Sequence, residues 1–437
     1  MFDRDLRWRA ARLLESPHRL CFFFAGLNWA VAALWWAVMQ LGATAGIAWP
    51  WYVAPGAAHG LWFGFGAMPL FIAGFMTTAG PKWLRRPPVD ARELRLAVSL
   101  FVYGWSLTAA GFHLDPLLAA FGIALVTLGW GMLSVRIIRL VVASTQPDRL
   151  HPKAIAIACV VIAIALAIAA LAIAARQPQW LRAAVRFGLW AGIVGVFVVV
   201  SHRLLPFLGE GAWPALDRRW PDWPLWTMLS VPIVRGWAAL LEPWWVSNMM
   251  AASATLPGSA SLPVSIAGAL QSAHLAIVAT LGVVIALRWR REPALKQPLI
   301  AMLFAALVWW DFALWLEAAA CWPQAAFGFT ADIAARLDLA AMHVLTIGFL
   351  GGTMLVMVTR ISSTRSGRAR SIDGVARALF VVLQVAVLGR LVAIFMPTGA
   401  ALALSLSALA WLIVAVTWAV RHGRWLGLPR VDGRPEA

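Results

Sequence analysis

The sequence predicts an all-α, polytopic transmembrane bundle of about twelve helices, with both termini cytoplasmic. Three observations carry that prediction. The composition is 62% apolar and only 13% charged, with a mean hydropathy of +0.79; a soluble domain of this length could not hide so much apolar surface. Apolar runs of spanning length recur along the chain, and about 20 residues at ~1.5 Å rise cross a ~30 Å hydrocarbon core. The basic residues, finally, fall almost entirely in alternate loops, as inner-face loops require.

Taken in order, the chain opens with MFDRDLRWRAARLLESPHRL, polar and arginine-rich and not followed by an A-x-A cleavage pattern. No removable signal is expected, and the first run remains as an anchor. The runs fall at roughly 20–43, 57–80, 95–113, 115–143, 154–175, 183–204, 224–241, 264–287, 298–319, 334–358, 373–396 and 399–420. The second is the densest in unusual groups: His59 opens it, and Thr77, Thr78, Pro81, Lys82 and Trp83 close it. Gly60, Gly64, Gly66 and Gly74 thin it for something bulky, a backbone or a flat ligand. The seventh carries Pro232 and Arg235 and is expected to be broken or partly interfacial.

The loops test the count. With the N-terminus inside, the inner segments hold Arg4, Arg7, Arg9, Arg12 and Arg19, then Lys82, Arg85, Arg86, Arg92 and Arg95. Further inner groups are Arg136 to Lys153, Arg203 to Arg219, Arg288 to Lys296, Arg360 to Arg377 and Arg421 to Arg434. The outer loops near 44–56, 243–263, 320–333 and 397–398 hold none, and only the one around Arg176 and Arg182 is basic. An even number of spans follows, in a multi-pass protein of the bacterial inner (cytoplasmic) membrane. The net charge of +17 therefore speaks for the lipid bilayer as partner and not for nucleic acid.

The chain reads as a single membrane domain over 1–437, with halves 1–204 and 224–420 joined by the cytoplasmic loop 205–223. The stretch 243–263 reads as an uncharged connector, and the tail after 421 as short, polar and disordered. Cys21, Cys159 and Cys321 lie singly in or beside apolar runs, with no CxxC pair, and are expected to be free thiols.

Polar groups at membrane depth are costly and mark function more often than in a soluble core. The topology sorts the histidines into two layers. His59 and His343 belong to the periplasmic half, His274 to the middle, and His113 to an outer boundary. His18 and His202 sit at cytoplasmic helix ends, each followed by arginine (Arg19, Arg203). His151 and His422 read as solvated loop or terminal residues. A buried imidazole can ligate haem iron or copper, or simply hydrogen-bond a neighbouring helix. Arg19, Lys82, Arg203 and Arg360 all fall at cytoplasmic ends and could converge on one anionic edge, although positive-inside residues snorkelling to headgroups have the same pattern. Met68, Met76, Met342, Met354 and Met357 offer soft sulfur, or core filler. Asp311, Glu317, Arg235 and Arg390 fit either a proton path or internal ion pairs. No Walker loop, GxGxxG, GxSxG or HExxH occurs, so nucleotide-driven transport and common hydrolase chemistry lack their residues.

The run HGLWFGFGAMPLFIAGFMTTAGPKWL resembles the second-span motif of NnrS proteins, multi-span haem–copper membrane proteins linked to nitric oxide. HRLCFFFAG at 18–26, SHRLLPF at 201–207, WRREPALKQPLIAML at 289–303 and MHVLTIGFLGGTMLVMVTR at 342–360 with SGR at 366–368 are similar to further blocks of that family, in its order. The departures mark a divergent branch. Where many members have WHxHE this chain reads GAAHG, with Ala57 and Gly60 beside the remaining His59; Arg365 replaces the histidine of GHTGR, and Phe304 stands where a histidine is common. A copper site built on those groups is put in question.

The resemblance implies twelve spans, haem b, copper as a second metal, and a role in nitric oxide or nitrosative stress, with nitric oxide or another small gas as a ligand. It carries over onto His18, Arg19, His59, His202, Arg203, His343 and Arg360. His59, His343, His18 and His202 are then the metal-ligand candidates, in two sites, one near His59 and His343 and one near His18 and His202. No reaction, and so no enzyme class, can be read from these residues. The competing reading is a proton-coupled secondary transporter of a small solute, using the same histidines as a relay and Pro232 to break a helix at the substrate site.

Overall fold

A computed structural model describes residues 7–208, 221–255, 261–322, 330–368 and 372–433. Among the described residues there are helices and no strands, and twelve helices are long and apolar enough to cross a membrane. They run Pro17–Thr44, Pro55–Trp83, Ala91–Leu114, Pro116–Val142, Leu150–Ala174, Pro178–Leu204, Trp223–Asn248, Ile266–Trp289, Pro298–Cys321, Ala331–Arg365, Gly374–Phe395 and Ala400–Leu426, here the first to twelfth spans. Their ends follow local chemistry. Asp115 accepts from the Leu117 and Leu118 amides at 2.7 and 3.0 Å, with Pro116 next to it, and so starts the fourth span. Thr330 and Asp373 cap the tenth and eleventh in the same way.

Small residues set the packing. The third and fourth spans cross where a Cβ on Gly104 would lie 2.6 Å from the Gly122 carbonyl oxygen, so only glycine allows that approach. The first span packs against both the second and the twelfth, which closes the two ends of the chain onto each other. The Arg9 amide donates to the Gly427 carbonyl at 3.0 Å and the Trp8 indole to Gly423 at 3.1 Å. Both termini thus lie at one end of the bundle, as an even number of spans requires.

The second, sixth and tenth spans are the most buried of the twelve, and all three depart from regular α-helix. The second splits into Pro55–Phe65 and Met68–Trp83. Pro69 has no N–H for the helical ladder, which leaves the Phe65 carbonyl without its donor four residues on, and beside it the Gly66 carbonyl accepts from the buried Asn28 amide at 2.6 Å. The Trp62 indole donates to the other end of that amide at 3.0 Å. The sixth and tenth each carry a π-helical stretch, Gly188–Val194 and Val344–Gly351. Such wide turns recur at functional sites.

Three expectations are corrected. The seventh span is not broken at Pro232: one helix runs Trp223–Thr255 through both Pro232 and Pro243, since exposing free backbone to lipid costs more than a local strain in the ladder. Helix therefore also occupies much of the connector expected at 243–263; residues 256–260 lie outside the described residues, as do 209–220 of the loop 205–223. Structure continues beyond 421, through residue 433 of the described chain. Helix continues to Leu426, and the Val431 amide donates to the Ser366 carbonyl at 3.0 Å.

Candidate functional site

His59 and His343 come together from opposite halves of the chain. Their rings lie 6.3 Å apart, centre to centre, and only 12° from parallel. His343 is the last residue before the π-helical stretch, and its Nδ1 lies 2.8 Å from the Leu339 carbonyl oxygen. A carbonyl only accepts, so Nδ1 carries the proton and Nε2 keeps its lone pair. His59 is held by ring contacts with Trp36 at 4.1 Å and Phe63 at 4.2 Å, and its Nδ1 is buried without a hydrogen-bond partner. Arg390, on the eleventh span, is near enough for its charge to act on both rings. It forms no hydrogen bond or ion pair among the described residues.

The spacing is compatible with a shared metal: bonds of roughly 2 Å on each side plus the ring radii separate the centroids of two imidazoles on opposite sides of one metal by about 6 Å. A buried nitrogen with no partner is also what a ligand position looks like before its metal is counted. One helical turn beyond Gly60, buried Gly64 would place a Cβ with no heavy atom within 4 Å outside its own helix, so this span has unfilled room beside it.

His18 and His202 are not brought together. His202 instead meets His151, with rings 5.2 Å apart and Nδ1 3.0 Å from His151 Nε2. His202 Nε2 donates to the Pro221 carbonyl at 3.1 Å, so its Nδ1 must accept from His151. Both nitrogens of His202 are thereby committed, and the free lone pair of this pair falls on His151 Nδ1, buried and unpartnered. His151 and His422, expected to be solvated, are 7% and 0% exposed. His422 Nδ1 donates to the Trp418 carbonyl at 3.1 Å, its ring lies against Trp418 and Trp425, and its Nε2 is buried without a partner. The signal for it was present as an Arg-His pair (Arg421-His422) closing the last span, the mirror of His18-Arg19.

The other candidates have structural partners. His18 is buried, with Nδ1 2.7 Å from the Ser16 hydroxyl and its backbone amide on Thr78. Arg19, fully buried, donates to the Leu426 and Leu428 carbonyls at 2.6 and 2.8 Å and so closes the end of the twelfth helix. Arg203 lies 4.8 Å over the Trp83 ring and 3.8 Å from Asp148. Arg360 is half-buried on the tenth span, and Lys82 is exposed. His113 accepts from Trp35 at 2.9 Å and donates to the Pro50 carbonyl at 2.8 Å; His274 bonds Ser230 at 2.8 Å.

Arg235 pairs with fully buried Glu317, and half-buried Arg186 with half-buried Asp338. Arg235 also donates to Gln271 at 2.6 Å. These ion pairs sit close enough to act on one another. Asp311 and Arg390 have no such partner among the described residues. Outside the spans, hydrogen bonds from Arg421 hold the Asp373 carboxyl down at about 2.

The chain matches the family model described as NnrS protein over residues 12–430. The chain belongs to the NnrS family. Membership supports a multi-pass membrane protein related to the nitric oxide response. Comparison with curated proteins and with solved structures gave no match.

Proposed function

We propose that this NnrS protein holds a haem b between His59 and His343 in the bacterial inner membrane, and serves the nitric oxide and nitrosative stress response through that haem. The observation that carries the reading is the facing ring pair, 6.3 Å apart and nearly parallel, with an orphaned nitrogen on His59 and a free Nε2 on His343. Haem held by both imidazoles would supply an iron that carries electrons, and would take a small gas such as nitric oxide only where one imidazole gave way.

The chain's own residues supply the rest. The Leu339 carbonyl fixes the tautomer and direction of His343. Trp36 and Phe63 hold His59 and keep water away from it. Arg390 offers an unspent positive charge to a haem propionate. Copper finds less support: among the described residues no group of three or more His, Cys, Asp or Glu converges, so a copper site would have to draw on methionine sulfur. The transporter reading loses its broken helix, because the seventh span runs unbroken through Pro232.

The test is the optical spectrum of the protein purified from haem-replete membranes. Wild type should show a Soret band in stoichiometric amount, and His59→Ala and His343→Ala should each remove it. A full Soret band in the double variant would eliminate this pair as the haem site.

A further inference from the structure

The ninth span carries a carboxyl group that no described residue neutralises. Asp311 is 8% exposed and has no hydrogen-bond or ion-pair partner among the described residues. Glu317, farther along the same helix, shows the usual arrangement, paired with Arg235. A lone carboxyl at membrane depth is expensive and needs a reason.

Asp311 lines a partly open cavity of about 80 Å³ between the seventh, eighth and ninth spans and the end of the sixth. Its walls are apolar and include Trp223, Trp289 and Trp310. His202 also faces it, with both ring nitrogens already committed. Gly282 makes the room: a Cβ there would sit 2.0 Å from Asp311 Oδ1. Trp223 and Trp289, at the end of the bundle that bears the termini, stand at its outer side, and Trp223 is 52% exposed.

The lining selects the occupant's chemistry. A neutral carboxylic acid would bring an unmet O–H into an apolar hole, which costs about as much as any orphaned donor. A ligand with one positive charge and an apolar body satisfies the carboxylate, fills the apolar volume and meets indole rings, which attract cations. Charge matches one to one, so the filled cavity is neutral overall. The cavity is small, so the ligand is a group of only a few heavy atoms.

We propose that this cavity is a binding site for a small organic monocation, an alkylammonium or quaternary ammonium group, held by Asp311 among the three tryptophans. The site is separate from the His59–His343 pair and does not depend on haem.

The test uses the full-length protein in lipid nanodiscs, with tetramethylammonium as the probe and saturation-transfer NMR as the readout. tert-Butanol, similar in size and uncharged, is the competitor. Wild type should bind tetramethylammonium, with tert-butanol weaker by roughly tenfold or more. Asp311→Asn, which keeps the shape and removes the charge, should weaken tetramethylammonium binding by a similar factor. Gly282→Ala should weaken it by displacing the carboxylate. Equal binding of tert-butanol to wild type, which needs no variant to fold, would mean an apolar hole open to any small or lipidic group and would overturn the proposal. So would undiminished tetramethylammonium binding by Asp311→Asn, or no binding by wild type.

Discussion

Two histidine pairs face each other across helices in this bundle, and they differ in what they leave unmet. His151 and His202 touch directly through a 3.0 Å hydrogen bond, and His202 spends its remaining proton on the Pro221 carbonyl. His59 and His343 make no hydrogen bond to each other; a bare nitrogen remains in each pair, on His59 and on His151, but only here does neither ring satisfy the other. The same contrast holds among the charges. Arg235 and Glu317 neutralise each other, whereas Arg390, near the open histidine pair, is unmatched among the described residues. A buried polar group that satisfies a neighbour is part of the scaffold; one held in place and left unsatisfied is waiting for something the chain does not supply.

The contrast can be broken most directly at the two pairs. His343→Ala should abolish the Soret band, while His202→Ala should leave most of it; the reverse result would exchange the roles of the two pairs. Arg390→Met should leave the thermal stability of the haem-free protein unchanged or higher, because it removes an unmatched charge. It should weaken haem retention by about 10- to 100-fold, as loss of a supporting group around a metal typically does, measured as haem transfer to apomyoglobin.

The scaffold side predicts losses of stability instead. Glu317→Ala strands Arg235 in the membrane and should cost about 3–5 kcal/mol, read from thermal unfolding in detergent. Replacing both partners, Glu317→Leu with Arg235→Met, should recover most of that loss. If the single variant is as stable as wild type, the pair is not holding these spans together. Asn28→Leu should cost about 1–3 kcal/mol, since the Gly66 carbonyl and the Trp62 indole both lose their partner.

The smallest effect lies at the surface. Asp373→Ala removes a helix cap and the Arg421 bridge and should cost about 1 kcal/mol. The Asp373 carboxyl is held down at about 2 from an ordinary 3.8, so its contribution is complete above pH 4 and disappears as the pH falls toward 2. The stability difference between wild type and Asp373→Ala should therefore close over that range and stay constant above it.

Sequence alone determined the class of the molecule and its framework. Hydrocarbon thickness sets span length, which is a local property of the chain. Twelve runs read from apolar length reappear as twelve spans, and the motif blocks around His18, His59, His202 and His343 pointed to the family that the chain proves to belong to. Partnership was decided by the tertiary structure. Nothing local told that His59 would face His343, that His202 would meet His151 and not His18, or that His422 would be sealed beneath Trp418 and Trp425. Whether Asp311 and Arg390 would find counter-charges, as Glu317 does, was equally hidden. Those outcomes depend on rotation and crossing of helices far apart in the chain, set by glycine contacts such as Gly104 on Gly122 and by the break at Gly66, and a one-dimensional pattern does not encode which face of one helix meets which face of another.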